Sequence, residues 1–365
     1  MGYQLVKYDP RYRDGILQLQ THLWSPDHKL NSDYFTWKYD ENPYLDAPLI
    51  YLVLHDQRVV AMRGLFGAKW HLGATGDSIL LPCAGDTTID PEHRKRGLLR
   101  KLFRFMLADP AVAGYPFLLS LSAGQAVYFA QLKEGWRVIA PYDTVLRAPT
   151  IVKSSKLRPI RRLARRLAGR SLARMLLSAA ERAKGSGKRT DRVRLSEAPR
   201  PDDMANLVAR MGRPDKICHV RDRDYFAWRF RSPLANYRYV YWQGTALEGF
   251  MVLRVLPHAI GTANIVEWQA ANDDVLRDML LAAIWEVGYG GIAIWTATLP
   301  QTAIDLLHGL GFSPADDDGA DGSFRPSILT TCDAKTDAET DWMLADRSIT
   351  DHRNWDLRML NSDAH

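Results

Sequence analysis

Apolar residues recur along the chain in a particular order of spacings, and the order is used twice. Ile16, Leu17, Leu19 and Leu23 lie on one helical face and stop before Ser25-Pro26, which predicts an opening helix. Residues 49–54 and 58–68 are dense in apolar positions and are separated by the polar triplet His55-Asp56-Gln57, which predicts a hairpin. A glycine-containing turn at 71–76 leads into the run 78–83, a buried central strand. Beyond it Leu98, Leu99, Leu102, Phe103, Phe105 and Met106 follow at helical spacing. Residues 116–122 then predict a strand, 125–133 a helix, and Gly135-Trp136 a turn into a further strand, with 143–147 closing the unit.

The second half restates this order. Tyr225-Phe226-Ala227-Trp228-Arg229-Phe230 matches Tyr34-Phe35-Thr36-Trp37-Lys38-Tyr39 position for position, with Asp224 and Asp33 before them. Strands are predicted at 237–242, 249–255, 263–269 and 291–296, and helices at 275–287 and 304–310. The last helix ends at Gly311-Phe312, the counterpart of Gly135-Trp136. The chain is an internal duplication. Between the copies, residues 157–183 carry Leu157, Ile160, Leu163, Leu167, Leu172 and Leu176 on one face and arginines on the other, a 3.6-residue period interrupted only by Gly169. The pattern divides the chain into two α/β domains with mixed central sheets, at 1–149 and 191–333. A basic amphipathic helical linker spans 150–190. A tail spans 334–365, read as docked by Trp342 and Trp355 with a polar end that frays from 361.

Composition alters this picture little; charge alters it in one place. A chain of 365 residues with 46% hydrophobic and 25% charged positions is a globular protein of two or three domains. Cys83, Cys218 and Cys332 are far apart, odd in number and form no C-x-x-C, so neither a disulfide framework nor a zinc site is expected. Cys83 reads as a small buried apolar residue. The start of the chain is polar and no apolar run approaches 18 residues, which predicts neither a signal peptide nor a membrane span, and hence a cytoplasmic protein. The net charge of +6 is unevenly placed, because residues 153–194 hold 15 Lys and Arg against Glu181 and Asp191 and the remainder is net negative. A helix with Arg161, Arg162, Arg165 and Arg166 on its polar face either packs its apolar face on protein or lies on an anionic membrane surface. Nucleic acid is disfavoured, since no aromatic interleaving or nucleic-acid motif accompanies the basic stripe.

Candidate chemistry sits between the first copy's central strand and its helix, in Asp86-Thr87-Thr88-Ile89-Asp90-Pro91-Glu92-His93-Arg94-Lys95-Arg96-Gly97-Leu98-Leu99. Arg94, Lys95 and Arg96 supply charge, Gly97 permits close backbone approach, and the helix start offers free N–H groups, a combination suited to a pyrophosphate. No G-x-x-x-x-G-K-[ST] occurs, which disfavours a kinase-type phosphate loop. The second copy has Ala270-Ala271-Asn272-Asp273-Asp274 at this junction, where two carboxylates repel an anion.

Arg94-x-x-Gly97-x-Leu99 resembles the Arg/Gln-x-x-Gly-x-Gly/Ala signature of the Gcn5-related N-acetyltransferase (GNAT) superfamily. The Arg-Gly-Leu-Leu-Arg form is similar to its enhanced-intracellular-survival branch and to tandem acyltransferases of bacterial envelope biosynthesis. The element order over 3–149 is similar to a whole GNAT domain, and Leu99 departs from the small residue usual there. The resemblance implies acyl-CoA or acetyl-CoA as co-substrate, with no permanently bound cofactor and no metal. It implies Arg94, Lys95, Arg96 and the backbone of Gly97, Leu98 and Leu99 as the pyrophosphate clamp, and backbone donors near Thr87 and Thr88 for the thioester carbonyl. Asp86 is implied as the base for the amine, or else caps the turn. Relatives place a tyrosine where this chain has Gln131, so Tyr128 serves as the thiolate's acid from a shifted position, or the thiolate leaves without a protein acid, or Tyr128 belongs to the core. Trp37 and Asn42 fall where GNAT proteins border the acceptor pocket, or are likewise core.

The implied activity is N-acylation of a primary amine from a CoA thioester. The favoured acceptor is a long-chain, sphingoid-type lipid amine at the inner face of the membrane, as in bacterial ceramide synthesis. An amino sugar for envelope polysaccharide is the alternative, and a GNAT-fold binding module without activity is the reading from another class.

Overall fold

The computed structural model describes residues 2–73, 76–141, 144–147, 191–212, 214–255, 262–287, 291–314, 327–331 and 342–363. The linker pattern at 157–183, with Arg161, Arg162, Arg165 and Arg166, lies outside the described residues.

The first half runs β1 (Tyr3–Lys7), α1 (Arg13–Gln20), α2 (His28–Phe35), β2 (Leu49–His55), β3 (Arg58–Phe66), β4 (Lys69–Leu72), β5 (Ser78–Leu80), β6 (Cys83–Ile89), α3 (Leu98–Leu107), α4 (Pro110–Ala113), β7 (Leu118–Ser120), α5 (Gln125–Lys133), β8 (Arg137–Pro141) and β9 (Thr144–Arg147). The second half runs β10 (Val193–Ser196), α6 (Pro201–Met211), β11 (Ile217–His219), α7 (Arg223–Arg229), β12 (Tyr237–Gln243), β13 (Leu247–Val255), β14 (Thr262–Ala270), α8 (Asp273–Val287), β15 (Gly291–Trp295), α9 (Gln301–Gly309), β16 (Ser313–Pro314) and β17 (Ser327–Thr331). The tail adds a small hairpin, β18 (Met343–Leu344) with β19 (Arg347–Ser348), and β20 (Trp355–Asp356). The β2–β3 hairpin turns on Asp56 and Gln57, both left-handed at φ 51° and 64°, a two-residue turn whose twist matches that of its strands.

Two seven-stranded mixed sheets form, in the orders β1-β2-β3-β6-β7-β17-β8 and β10-β12-β13-β14-β15-β9-β16. Their sixth places are exchanged. The segment expected to close the first unit, β9, pairs instead with β15 and β16 of the second sheet, for example Val145 with Ile294 and Ser313 with Leu146. Reciprocally, β17 lies between β7 and β8, with Leu329 opposite Ser120 and Thr330 opposite Arg137. β7 and β8 run parallel one strand apart, so an antiparallel strand satisfies the inner backbone groups of both.

The halves are joined twice more. A four-stranded sheet, β20-β11-β4-β5, draws strands from the first half, the second half and the tail. At its flank the repeated tryptophans meet: Trp37 Nε1–H donates to the Trp228 carbonyl at 2.9 Å, Trp228 Nε1–H donates to the Trp37 carbonyl at 2.8 Å, and the rings stack with centroids 5.0 Å apart. The two copies of one sequence motif thus satisfy each other's buried polar atoms.

The tail departs from expectation at its end. Trp342 and Trp355 are buried as expected, yet Asn361, Ser362 and Asp363 are buried too rather than frayed. Arg229 Nε–H and Nη2–H donate to the carbonyls of Leu360 at 3.0 Å and Ser362 at 2.8 Å, which ties down a backbone that its polar side chains alone would leave in water.

His219 on β11 is packed among Trp70, Tyr44 and Tyr225, with ring centroids 4.2 Å from the last. Burial pushes its pKa down to about 3 from an ordinary 6.5. The unfolded chain therefore binds a proton that the folded chain refuses, and the stabilisation present above pH 6.5 erodes by about 1.4 kcal/mol per unit as the pH falls from there towards 3. In urea titrations at pH 7 and 5, His219→Phe is expected to flatten that decline. A wild-type slope in the variant would assign the acid sensitivity elsewhere.

Candidate active site

β6 is the central strand of the first sheet and carries a bulge. Its register against β3 slips between Met62–Thr88 and Gly64–Gly85, and Asp86 takes φ 48° to absorb the extra residue. The bulge puts two neighbours, Gly85 and Asp86, on the face that meets α1 and the segment after α2, while Thr87 faces Arg63 over α3. Beyond the bulge the sheet opens. β6 meets its parallel neighbour β7 at one registered pair, Cys83–Leu119.

On the α3 side, the strand runs through Pro91–His93 into the basic turn. Lys95 and Gly97 are both left-handed, at φ 61° and 72°, and Gly97 caps α3. Arg94, Lys95, Arg96 and Gly97 are exposed. Arg94 Nε–H donates to the Ile89 carbonyl at 3.1 Å and Arg96 Nη2–H to that of Glu92 at 3.4 Å, so both side chains curl around the turn. The first helical bond is Lys101 N–H to Gly97 O, which leaves the N–H groups of Leu98 and Leu99 at the unsatisfied, positive end of the helix. A Cβ built on Gly97 would meet nothing within 4 Å, so this face of the turn is open to a ligand. Leu98 is buried against the sheet and Leu99 half-buried. The second copy offers no such end: α8 opens on Asp273 and Asp274, and the Asn272 side chain already accepts Val275 N–H at 3.0 Å.

On the opposite face lies a buried charge cluster. Asp86 accepts from Gln20 Nε2 at 3.2 Å and Tyr39 OH at 2.7 Å on one oxygen, and from Trp24 Nε1 at 2.9 Å and Lys38 Nζ at 2.8 Å on the other. All four acceptor positions of the expected base are occupied. Lys38 Nζ also donates to Asp363 at 2.6 Å, and Asp363 accepts from Ser122 Oγ at 2.6 Å. Gly85 makes this possible, since a Cβ there would collide with Lys38 Nζ and Asp363. Burial alone would push the Lys38 ammonium down, but Asp363 and Asp86 outweigh it and hold it above the ordinary lysine range. Burial likewise pushes Asp363 up, and Lys38 with Ser122 reverses this, holding it below the usual carboxylate range. The rings of Phe66, Tyr34, Tyr39 and Trp24 surround the ammonium at 5.1–5.7 Å.

A small cavity lies beside this cluster, lined by Trp37, Lys38, Phe66, Trp228, Arg229 and Asp363. Trp37 therefore reaches it. Asn42 is held back by its own loop, donating to Gly67 O at 3.2 Å and accepting Tyr44 N–H at 3.0 Å. Tyr128 is half-buried on α5, its ring edge-on to Phe129 at 5.3 Å. Gln131 is fully buried and accepts from Ser120 Oγ at 3.4 Å. Sequence reasoning missed Lys38, Arg63 and Asp363. A signal for the first was present, because a charged residue stands inside the aromatic motif in both copies, as Lys38 and Arg229, and each grips the tail.

Among the described residues no His, Cys, Asp and Glu cluster has the make-up of a metal site, and no helix is long and apolar enough to cross a membrane. No protein-family model matches the chain, and no curated protein matches it. Solved structures do. A Gcn5-related N-acetyltransferase from Anabaena variabilis is 10% identical at TM-score 0.58, over 91% of this chain and 73% of that one. A tandem GNAT protein from the clavulanic acid biosynthesis pathway is 14% identical at 0.53, over 92% and 100%. Saccharomyces cerevisiae N-myristoyltransferase with bound myristoyl-CoA is 12% identical at 0.54, over 90% and 77%. Likeness at this level of identity speaks for architecture alone: the chain has the tandem GNAT fold.

Proposed function

We propose that the chain is an acyl-CoA-dependent N-acyltransferase that moves an acyl group from a CoA thioester to a primary amine. The observation that carries this is the open basic turn at the start of α3, which the first copy has and the second lacks. Arg94, Lys95, Arg96 and the free N–H groups of Leu98 and Leu99 receive the pyrophosphate. Where β6 and β7 part, backbone donors near Thr87 and Thr88 polarise the thioester carbonyl. The second copy, with its acidic and capped helix start, supports the first through the exchanged strand and the tail.

Asp86 we assign to holding Lys38 in place rather than to taking the proton, because its acceptor positions are filled. Asp363 is the carboxylate that borders the cavity, and it is our candidate for the amine's proton. The favoured acceptor is a long-chain amine at an anionic membrane, a choice that rests on the arginine-rich pattern of 157–183; an amino sugar is the competing acceptor. The test is thiol release from acetyl-, octanoyl- and palmitoyl-CoA, each offered with a long-chain amino alcohol and with a nucleotide-linked amino sugar. Release with a long acyl chain and the lipidic amine supports the first choice, release with acetyl-CoA and the sugar the second, and release with neither the inactive binding module. In the same assay Asp86→Asn is expected to lower Tm together with turnover. Lost turnover at wild-type Tm would restore Asp86 as the base.

A further inference from the structure

Arg63, in the middle of β3, is 1% exposed. Its Nη1–H donates to Thr87 Oγ1 at 2.7 Å, but its Nε and Nη2 are buried with no acceptor, and no carboxylate pairs with it among the described residues. The guanidinium lies against Phe103 and Trp136, 4.1 and 5.6 Å from their ring centres, and burial pushes its pKa down to about 9, so it is still charged at neutral pH. Two further donors in this layer are buried without an acceptor, Gln131 Nε2 and Trp136 Nε1, and the two residues are tied together by Trp136 N–H to Gln131 O at 3.1 Å. The layer under the bulge thus holds an unpaired cation and several unused N–H groups. Such a cation is costly, and an apolar residue of its size would serve a purely structural role better. The donors ask for an anion.

Acyl transfer creates one beside this strand. We propose that Arg63, together with the Gln131 amide, receives the departing CoA sulfur as a thiolate, in place of a tyrosine that protonates it. This rests on the acyltransferase reading above. The amine lone pair attacks the thioester carbon and the C–N bond forms. On collapse of the tetrahedral intermediate the C–S bond breaks and its electron pair leaves on sulfur next to the guanidinium. The surplus proton on nitrogen leaves to the acceptor-side carboxylate, and the thiolate takes a proton from water when CoA is released.

The experiment uses the full-length protein and follows CoA binding by calorimetry and the thiolate by its ultraviolet absorbance across pH, for wild type, Arg63→Met, Arg63→Lys and Gln131→Leu. Wild type is expected to bind CoA with its thiol pKa lowered by at least about one unit, with Arg63→Met abolishing the shift and Arg63→Lys keeping part of it. Turnover of an acyl-CoA by Arg63→Met should fall about 100-fold, the usual order for removing one stabiliser of developing charge. Turnover of the corresponding acyl-seleno-CoA should fall less than about tenfold, because a selenolate departs without help. A thermal melt at or above the wild-type Tm establishes that the variant is folded. CoA bound by wild type with an unshifted thiol overturns the proposal, as does an Arg63→Met enzyme of wild-type turnover, or a loss that follows Tyr128→Phe instead. Absence of any CoA binding by wild type would remove the acyltransferase reading itself.

Discussion

Replacing Arg96 and Gly97 together with glutamate is expected to weaken CoA binding more than about 100-fold in a calorimetric titration, with the circular dichroism spectrum unchanged. The loss corresponds to roughly 2.7 kcal/mol, and charge supplies it. One cation becomes an anion, and a second carboxylate is placed at the helix start, where the macrodipole draws it into the position a phosphate would take. Unit charges 4 Å apart interact by about 4 kcal/mol at an effective dielectric of 20, less once an exposed turn is screened by salt, so two such changes suffice. The fold should bear them because a side chain at 97 has open space around it and the penalty is confined to its left-handed backbone, about 1–2 kcal/mol. Gly97→Ala separates the terms: it carries the strain without the charge and should lose far less affinity. Unchanged binding by the double variant would remove the pyrophosphate assignment.

Lys38→Met is expected to be among the most destabilising single changes in the first half, at about 3–5 kcal/mol by urea unfolding at pH 7. The methionine fills the same volume inside the ring of aromatics, so packing is not the issue. Two carboxylates, Asp86 at 0% and Asp363 at 3% side-chain exposure, lose the cation between them. The pH dependence identifies the cause. In wild type Asp363 is held below its unfolded value near 3.9, so its contribution is present above that pH and disappears as the pH falls through the lower folded value. In the variant burial acts on Asp363 without the lysine that holds it down, so the deficit is largest near neutrality and shrinks on acidification. A deficit equal at pH 7 and 5 would point to packing instead.

Much of the fold is legible in local pattern. The α5 helix, the His55–Gln57 turn and the repeated aromatic motif follow from spacing and turn chemistry within a few residues of one another. The exchanged strands are not, because β9 and β17 have the same apolar character whichever sheet they join, and only long-range pairing decides. The basic turn is readable because its arginines and glycine are contiguous in sequence at a strand-to-helix junction. Asp86 was visible as a carboxylate in the right place, but its four donors come from distant parts of the chain, from Gln20 to Tyr39, and nothing local announces them. Asp363 is hidden for the same reason, in a stretch whose polarity reads as a free end.

The exchange of β9 and β17 has a consequence for the way the protein is made. A ribosome delivers the first 150 residues long before residue 331, and until then β7 and β8 flank an unfilled slot with two rows of unpaired backbone groups, while β9 waits for a sheet not yet synthesised. The nascent first half therefore emerges as an incomplete product with exposed edges, of the kind that recruits chaperones or pairs with a neighbouring chain on the same message. Completion comes only when β17 closes the slot and Asp363 reaches Lys38. A first half made without β17 and Asp363 would have neither the filled slot nor the buried ion pair.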